Sequence, residues 1–107
     1  MTLLREKTYA LLKTVPAGRV TTYKALAEAL HTKGYRAIGQ FMKHNPYAPT
    51  VPCHRVVATN GTIGGFNGHT IGAAIAKKIR MLRSEGIKIS KNRIVDFSTV
   101  LFRFPAS

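Results

Sequence analysis

Apolar residues recur along the first part of the chain at the three- and four-residue spacing of helices that bury one face. The spacing predicts a first helix over residues 2–14, ended by Pro16 and Gly18. A second helix is predicted over residues 23–31, with Thr22 as its N-cap. The apolar positions that would face the core from these two helices are Leu4, Leu11, Leu12, Val15, Leu26, Ala27 and Leu30.

A third helix is predicted over residues 35–44, and its two sides differ in polarity. The apolar side consists of Ala37, Ile38, Phe41 and Met42, and the polar side of Arg36, Gln40, Lys43 and His44. Two short helices joined by a small turn, the second with a basic outer face, are typical of a helix-turn-helix. A solvated surface helix shows the same pattern, so this motif alone does not establish DNA binding.

The second half of the chain predicts a hairpin and a fourth helix. The β-favouring runs 54–58 and 62–66 flank Asn60-Gly61, a pair that suits a type I′ turn. A fourth helix over residues 70–84 would be followed by Gly86 as a left-handed cap. Its inward positions are Ile71, Ile75, Ile79 and Leu82, and the basic residues placed elsewhere on it are Lys77, Lys78, Arg80 and Arg83.

Length and composition indicate one domain, residues 1–107, with the basic and apolar tail 88–107 packed on the rest. No apolar run has the length of a membrane span, so no membrane partner is predicted. The single cysteine excludes an intramolecular disulfide and a multi-cysteine metal site, and it is typical of a reducing, intracellular setting. The four histidines show no metal-ligand spacing, so neither a metal nor a cofactor is predicted.

The charge balance narrows the class of partner. Seventeen Lys and Arg residues stand against four acidic residues, which gives a formal charge of +13. Because the basic residues are spread along the chain, the excess favours a polyanionic partner, with nucleic acid as the first candidate. The alternative is a highly soluble basic protein without a specific ligand.

The only cysteine, Cys53, lies in a stretch that no regular element can contain. Three prolines precede it, and each fixes φ and lacks a backbone N–H, so a stiffened loop is predicted to present Cys53 at a defined place. His54 and Arg55 follow directly, and a thiol beside an imidazole and a permanent cation is expected to be reactive. The alternative is a small buried hydrophobic residue that happens to be cysteine.

Together these residues resemble the O6-alkylguanine–DNA alkyltransferase family. The segment Pro52-Cys53-His54-Arg55-Val56-Val57 resembles the family's active-site signature Pro-Cys-His-Arg-Val. The other matches run in family order over residues 1–87. The entry to the family's helix-turn-helix resembles Gly18-Arg19-Val20-Thr21-Thr22-Tyr23 with Leu26-Ala27, and the start of its recognition helix resembles Arg36-Ala37-Ile38-Gly39. The family's hinge resembles Asn45-Pro46, and the end of its last helix resembles Met81-Leu82-Arg83-Ser84-Glu85-Gly86.

The resemblance implies a fold and a function. The fold would be mainly α with a small β-hairpin, a winged-helix-like domain that contains the helix-turn-helix. The activity would be that of a methylated-DNA–protein-cysteine S-methyltransferase, which acts once, without metal or cofactor, on O6-alkylguanine in double-stranded DNA after flipping the base through the minor groove. The protein would be a monomer, located in the cytoplasm on the nucleoid if prokaryotic. Larger family members carry an N-terminal domain, and the resemblance leaves open whether a separate partner protein replaces it.

The resemblance also implies catalytic roles. Cys53 would be the nucleophile and alkyl acceptor, and His54 would act through water as its base. Glu85 would orient that histidine, and Asn45 would brace the turn under the active site. Tyr23 would hydrogen-bond to the flipped guanine and help it leave as a neutral base.

DNA contacts are implied at matching positions too. Arg36 would fill the gap that the flipped base leaves in the duplex, and Thr22, Tyr23, Gln40 and Lys43 would also contact DNA. A base-flipping mechanism suits this chemistry because the target atom is unreachable inside a duplex. The residues implied for the substrate pocket are Val56, Phe66, Asn67 and Gly68.

Two alternatives stand beside this interpretation. The related alkyltransferase-like proteins are comparably short and bind lesions without repairing them, but they carry tryptophan in place of the nucleophile, whereas this chain has Cys53. A cysteine hydrolase that uses Cys53 and His54 is disfavoured by the +13 charge and by the direct sequence adjacency of nucleophile and base.

Overall fold

The computed structural model describes residues 2–65 and 72–105. In chain order, the elements of these residues are α1 (Thr2–Leu12), β1 (Thr21–Thr22), α2 (Tyr23–Ala29), α3 (Tyr35–Lys43), a 3-10 turn (Cys53–Arg55), β2 (Val56–Val57), α4 (Ala73–Ser84), β3 (Ile89–Ser90), β4 (Arg93–Ile94) and α5 (Phe97–Val100). The predicted mainly α fold with a small amount of β structure is confirmed. None of the helices in this part of the chain is long and apolar enough to cross a membrane.

The first two helices agree with the sequence prediction and are slightly shorter. α1 ends at Leu12 because the chain tightens there: the amides of Thr14 and Val15 bond to carbonyls three residues back. α2 begins after Thr22, whose hydroxyl accepts the backbone N–H of Ala25 at 3.0 Å. Thr22 is therefore the N-cap, as predicted.

α3 has the two-sided character that the sequence predicts. Ile38 and Met42 are buried against α1 and α2, while Arg36, Gln40 and Lys43 are exposed. The apolar face is held in place by packing and by a hydrogen bond from the hydroxyl of Tyr9 in α1 to the carbonyl of Phe41, at 2.8 Å. α2 and α3, joined by a short turn, form the helix-turn-helix with its basic side facing outward.

The predicted hairpin does not form in the described part of its range, residues 54–58 and 62–65, and residue 66 lies outside the described residues. Val56–Val57 pairs in parallel with Thr21–Thr22, which lies far away in sequence. Both valines have no exposed surface. A strand buried on both faces lacks the in–out alternation of a surface hairpin, and this is typical of parallel pairing inside a fold.

The Asn60-Gly61 pair closes a different turn from the one predicted. A type I′ turn needs positive φ at both central residues, but only Gly61 has it, with φ +87°. The amide of Gly61 bonds to the carbonyl of Ala58 at 2.9 Å, and Asn60 Oδ1 accepts the N–H of Thr62 at 3.1 Å. Thr62 then forms an isolated antiparallel bridge with Arg93 in place of a hairpin partner.

The antiparallel hairpin of the described residues lies in the C-terminal tail. Ile89 pairs with Ile94 across a turn whose central residues, Lys91 and Asn92, have φ of 52° and 62°, as a type I′ turn requires. Further along, the chain runs beside Val20, which bonds through its N–H to the carbonyl of Val100 at 3.0 Å and through its carbonyl to the N–H of Phe102 at 2.7 Å. These bonds join the tail to the segment that leads into β1.

α4 begins at Ala73; residues 70 and 71, with which the predicted helix starts, lie outside the described residues. At its other end, Gly86 has φ +92°, and its N–H bonds to Arg83 while the N–H of Ile87 bonds to Leu82. This is a Schellman motif, so the predicted left-handed cap is confirmed. Glu85 occupies the C-cap position directly before it.

Candidate active site

The proline-rich loop before Cys53 is fixed by hydrogen bonds that meet at the carbonyl oxygen of Val51. This oxygen accepts from the backbone N–H of Cys53 at 2.9 Å and from Nδ2 of Asn45 at 2.7 Å. Pro52 has φ −84° and ψ 71°, the conformation of an inverse γ-turn. Asn45 Oδ1 also accepts the N–H of Tyr47 at 2.9 Å, so Asn45 braces the turn from which Cys53 emerges.

Glu85 is bound by the two residues that follow the cysteine. His54 Nε2 lies 2.9 Å from Glu85 Oε2. Arg55 donates from Nε to Oε1 at 2.9 Å and from Nη2 to Oε2 at 2.6 Å. Nη1 of Arg55 donates to the carbonyl of Val15 at 2.9 Å. The guanidinium therefore holds the carboxylate at the end of α4 against the 3-10 turn.

Burial and hydrogen bonding fix the protonation states of His54 and Glu85. Burial raises the pKa of Glu85, but hydrogen bonds from Arg55 and His54 outweigh it and hold that pKa below its ordinary value. Burial lowers the pKa of His54 and outweighs the hydrogen bond to Glu85, which raises it. Glu85 is therefore ionised and His54 neutral at pH 7. Because an ionised carboxylate only accepts, we assign the imidazole proton to Nε2, which leaves Nδ1 as a proton acceptor.

Tyr23 and Thr22 lie side by side at the start of α2 and have different environments. Burial raises the pKa of the half-buried Tyr23, and the charge of nearby Cys53 raises it further, so the phenol is protonated at neutral pH and can donate a hydrogen bond. Thr22 is 4% exposed and its hydroxyl is engaged by Ala25. The DNA contact implied for Thr22 stays a prediction.

Of the four residues implied for the substrate pocket, the structure describes Val56. Val56 has no exposed surface, so its side chain belongs to the core, and its carbonyl oxygen accepts a hydrogen bond from Lys78. Phe66, Asn67 and Gly68 lie outside the described residues. In residues 2–65 and 72–105, no three or more His, Cys, Asp or Glu side chains come together in a group that could hold a metal ion.

Lys78 is the residue that the sequence interpretation misplaced. The sequence analysis places it on the fourth helix apart from the inward positions, but it has no exposed surface, and its Nζ donates to three backbone carbonyls. Burial lowers its pKa to about 7. The available signal was its position, three residues after Ile75 and four before Leu82, which places it in the apolar stripe of α4.

Comparison with known proteins shows which family the chain belongs to. Residues 4–87 match the family model described as "6-O-methylguanine DNA methyltransferase, DNA binding domain". A bifunctional methyltransferase/endonuclease of Picrophilus torridus is 40% identical over 87 residues, which cover 80% of this chain and 28% of that protein. The chain spans less than half the length of the curated relatives that it matches.

Two solved structures show related folds. The crystal structure of S. pombe Atl1 in complex with damaged DNA containing O6-carboxymethylguanine superposes with a TM-score of 0.83 at 27% identity, covering 96% of this chain and 97% of Atl1. The crystal structure of the O6-methylguanine-DNA methyltransferase of Pyrococcus kodakaraensis strain KOD1 superposes with a TM-score of 0.66 at 45% identity, covering 78% of this chain and 46% of the other.

Proposed function

We propose that this chain, which belongs to the 6-O-methylguanine DNA methyltransferase family through its DNA-binding domain, repairs O6-alkylguanine in DNA by moving the alkyl group once and irreversibly to Cys53. The observation that carries the proposal is the environment of the cysteine. Next to it lies a neutral His54 whose Nε2 is bound to an ionised Glu85 at 2.9 Å. A base held in this tautomer can accept a proton at Nδ1.

The chemical step follows from these groups. Nδ1 of His54, acting through a water molecule, takes the proton of the Cys53 thiol. The sulfur then attacks the alkyl carbon, so a sulfur–carbon bond forms while the bond between that carbon and guanine O6 breaks. The electron pair of the broken bond stays with the guanine, and the proton from the thiol returns to it, so that alkylguanine plus thiol gives guanine plus thioether. The protonated Tyr23 donates a hydrogen bond to the departing base.

Access to the lesion is supplied by α3. Its exposed Arg36, Gln40 and Lys43 form one outward face, and the total charge of +13 attracts the phosphate backbone with little dependence on sequence. The guanine must leave the stack to reach a cysteine that is 5% exposed. The proposal gives Arg36, which is exposed in the first turn of α3, the role of occupying the space that the base leaves.

A count of restored guanine tests this proposal. The protein is incubated with an excess of duplex containing one O6-methylguanine, and the digested DNA is analysed for guanine and O6-methylguanine. The expected result is a plateau at one guanine restored per protein molecule, because the acceptor is consumed. Continued turnover would contradict the suicide mechanism, and no restored guanine would contradict repair.

A second candidate function is lesion recognition without repair. It is favoured by the superposition with Atl1, which covers 96% of this chain and 97% of Atl1 and whose partner there is damaged DNA. Tight binding of an O6-methylguanine duplex without any restored guanine would select it over repair.

A further inference from the structure

The outward side of α4 carries positive charge and no negative charge. Three exposed cations recur on it at every third position, at Lys77, Arg80 and Arg83. The twelve residues of α4 include no Asp or Glu. Because a helix rises 1.5 Å per residue, the three cations span about 9 Å along its axis. These three residues are called the basic face of α4 below.

This arrangement of charges is unfavourable for the helix on its own. Residues three positions apart are neighbours on a helix surface, so Arg80 repels both Lys77 and Arg83. Exposed helices are usually supported by pairs of opposite charge at this spacing. Within the described part of the chain, both ion pairs are made by Glu85 with residues of the 3-10 turn, so neither relieves the repulsion. A polyanion lying along the basic face of α4 would offset it.

The basic face of α4 points away from the helix-turn-helix. α4 packs on the 3-10 turn, and Ile75 and Leu82 are buried on its inward side. The same turn lies near α2, because the charge of Cys53 contributes to raising the pKa of Tyr23. α3 packs on α1 and α2. The 3-10 turn therefore lies between the helix-turn-helix and α4, and a duplex held by α3 leaves the basic face of α4 uncovered.

DNA fits this face better than an acidic protein does. The large hydrophobic side chains that are exposed in the described residues all lie outside α4, whereas the core of a protein–protein interface needs such side chains. Ala73 and Ala76 are exposed one turn before Lys77 and Arg80, so a rigid phosphate backbone can come close to the cations. A protein that is already bound to DNA through α3 also has other segments of that DNA at high local concentration.

We propose that the basic face of α4 binds a second segment of double-stranded DNA while α3 holds the first. The contacts are to phosphates and are therefore independent of sequence. Such a protein passes directly from one segment to another during its search for a lesion, without a complete dissociation in between. The inference rests on the proposed function only for the binding of the first duplex by α3, and it does not require alkyl transfer.

Capture of a second duplex tests this on undamaged DNA, where no alkyl transfer takes place. A short duplex is fixed to beads, and a fluorescent duplex is retained from solution if the protein holds both. The α4 variant replaces the three cations of the basic face: Lys77→Gln, Arg80→Gln and Arg83→Gln. The α1 variant is the matched control and removes three exposed charges from α1 and the residue after it: Arg5→Gln, Lys7→Gln and Lys13→Gln. Affinity for a single duplex is measured separately by fluorescence anisotropy.

The unmodified protein and the α1 variant should both capture the second duplex, and native mass spectrometry should show one protein molecule with two duplexes. The α4 variant should capture about tenfold less or weaker still, because the phosphate contacts of three cations are lost. The single-duplex affinities of the two variants should agree within about threefold. A bound fluorescent duplex should leave the unmodified protein faster as unlabelled duplex is added, and leave the α4 variant at a constant rate.

Four results would overturn the proposal. Equal loss of capture in both variants would assign bridging to total charge. A loss of single-duplex affinity in the α4 variant as large as its loss of capture would place the basic face against the first duplex. Two protein molecules in each complex would assign bridging to contacts between proteins. No capture by the unmodified protein would exclude a second DNA site on this domain.

A double variant and a separate readout keep these outcomes distinct. Lys77→Gln with Arg80→Gln replaces the α4 variant if circular dichroism shows that the latter does not fold, because it keeps the bond from Arg83 to the carbonyl of Ile89. Capture of two duplexes without any restored guanine would contradict repair and leave the second DNA site standing. Binding of one duplex without capture of another would do the reverse.

Discussion

His54 Nε2 lies 2.9 Å from Glu85 Oε2 although 31 positions separate the two residues. The contact joins the 3-10 turn that carries the nucleophile to the end of α4. A carboxylate at a helix C-cap is unfavourable by a few tenths of a kcal/mol or more, because the helix dipole places negative charge there. The bidentate bond from Arg55 offsets this and leaves Glu85 ionised and able to orient the imidazole.

Replacing the carboxylate tests this relationship. Glu85→Gln should slow transfer, because the hydrogen bond and charge of Glu85 raise the pKa of His54 and their loss makes the imidazole a weaker base. Unfolding should also become easier by about 1–3 kcal/mol, since Arg55 loses a hydrogen-bonded partner. Glu28→Gln, the same change at an exposed position of α2, is the matched control. Rate–pH profiles and urea unfolding are the measurements; an unchanged profile for Glu85→Gln would exclude Glu85 from the proton relay.

The acid dependence of transfer follows from His54. Because burial lowers its pKa below the ordinary 6.5, the acid limb of the transfer rate should be centred below pH 6.5, where the imidazole becomes protonated and loses its acceptor at Nδ1. A single-turnover rate measured between pH 5 and pH 8 checks this. An acid limb centred above pH 6.5 would contradict the assigned environment of His54.

Stability should fall over the same acid range. The folded His54 binds protons less readily than the unfolded chain, so the free energy of unfolding decreases as the pH drops from 6.5 through the folded pKa. The lowered pKa of Glu85 adds a further loss at still lower pH, as the pH passes through its folded value. Urea unfolding between about pH 2 and pH 8 should show both losses. Constant stability across this range would show that neither group is perturbed by folding.

The exposed face of α3 predicts a difference between two basic residues. Arg36→Ala should weaken binding to a paired lesion by about tenfold while leaving binding to the same lesion in single-stranded DNA nearly unchanged, because only the duplex requires a flipped base and a filled gap. Lys43→Ala, on the same face, should weaken both substrates alike through loss of a phosphate contact. Fluorescence anisotropy with the two substrates separates these cases. Equal losses for Arg36→Ala would argue against insertion into the duplex.

Much of the fold was predictable because its signals are local. The apolar spacing of α1, α2 and α3, the cap at Thr22 and the stop at Gly86 each depend on residues within one or two turns. The proline-rich loop before Cys53 was predictable for the same reason, since the restriction of φ at proline acts on single residues.

The errors concern pairings and burial that no local pattern determines. Val56–Val57 has the composition of a strand, but its parallel partner, Thr21–Thr22, is distant in sequence. The sequence analysis leaves Lys78 out of the inward positions of the fourth helix, and the three carbonyls that make the burial of a lysine tolerable come from another part of the chain. The proximity of Glu85 to His54 was foreseen only through the family resemblance, because nothing in their spacing indicates it.

The central claim is that Cys53 itself accepts the alkyl group. Intact-mass measurement followed by peptide mapping, after incubation with an O6-methylguanine duplex, tests it directly, with Cys53→Ala as the control that should bind the lesion and gain no mass. The account predicts one added methyl group, on the peptide that contains Cys53 and on the sulfur of that residue. Tight binding of the duplex with no change in mass, or a methyl group on any other residue, would contradict it.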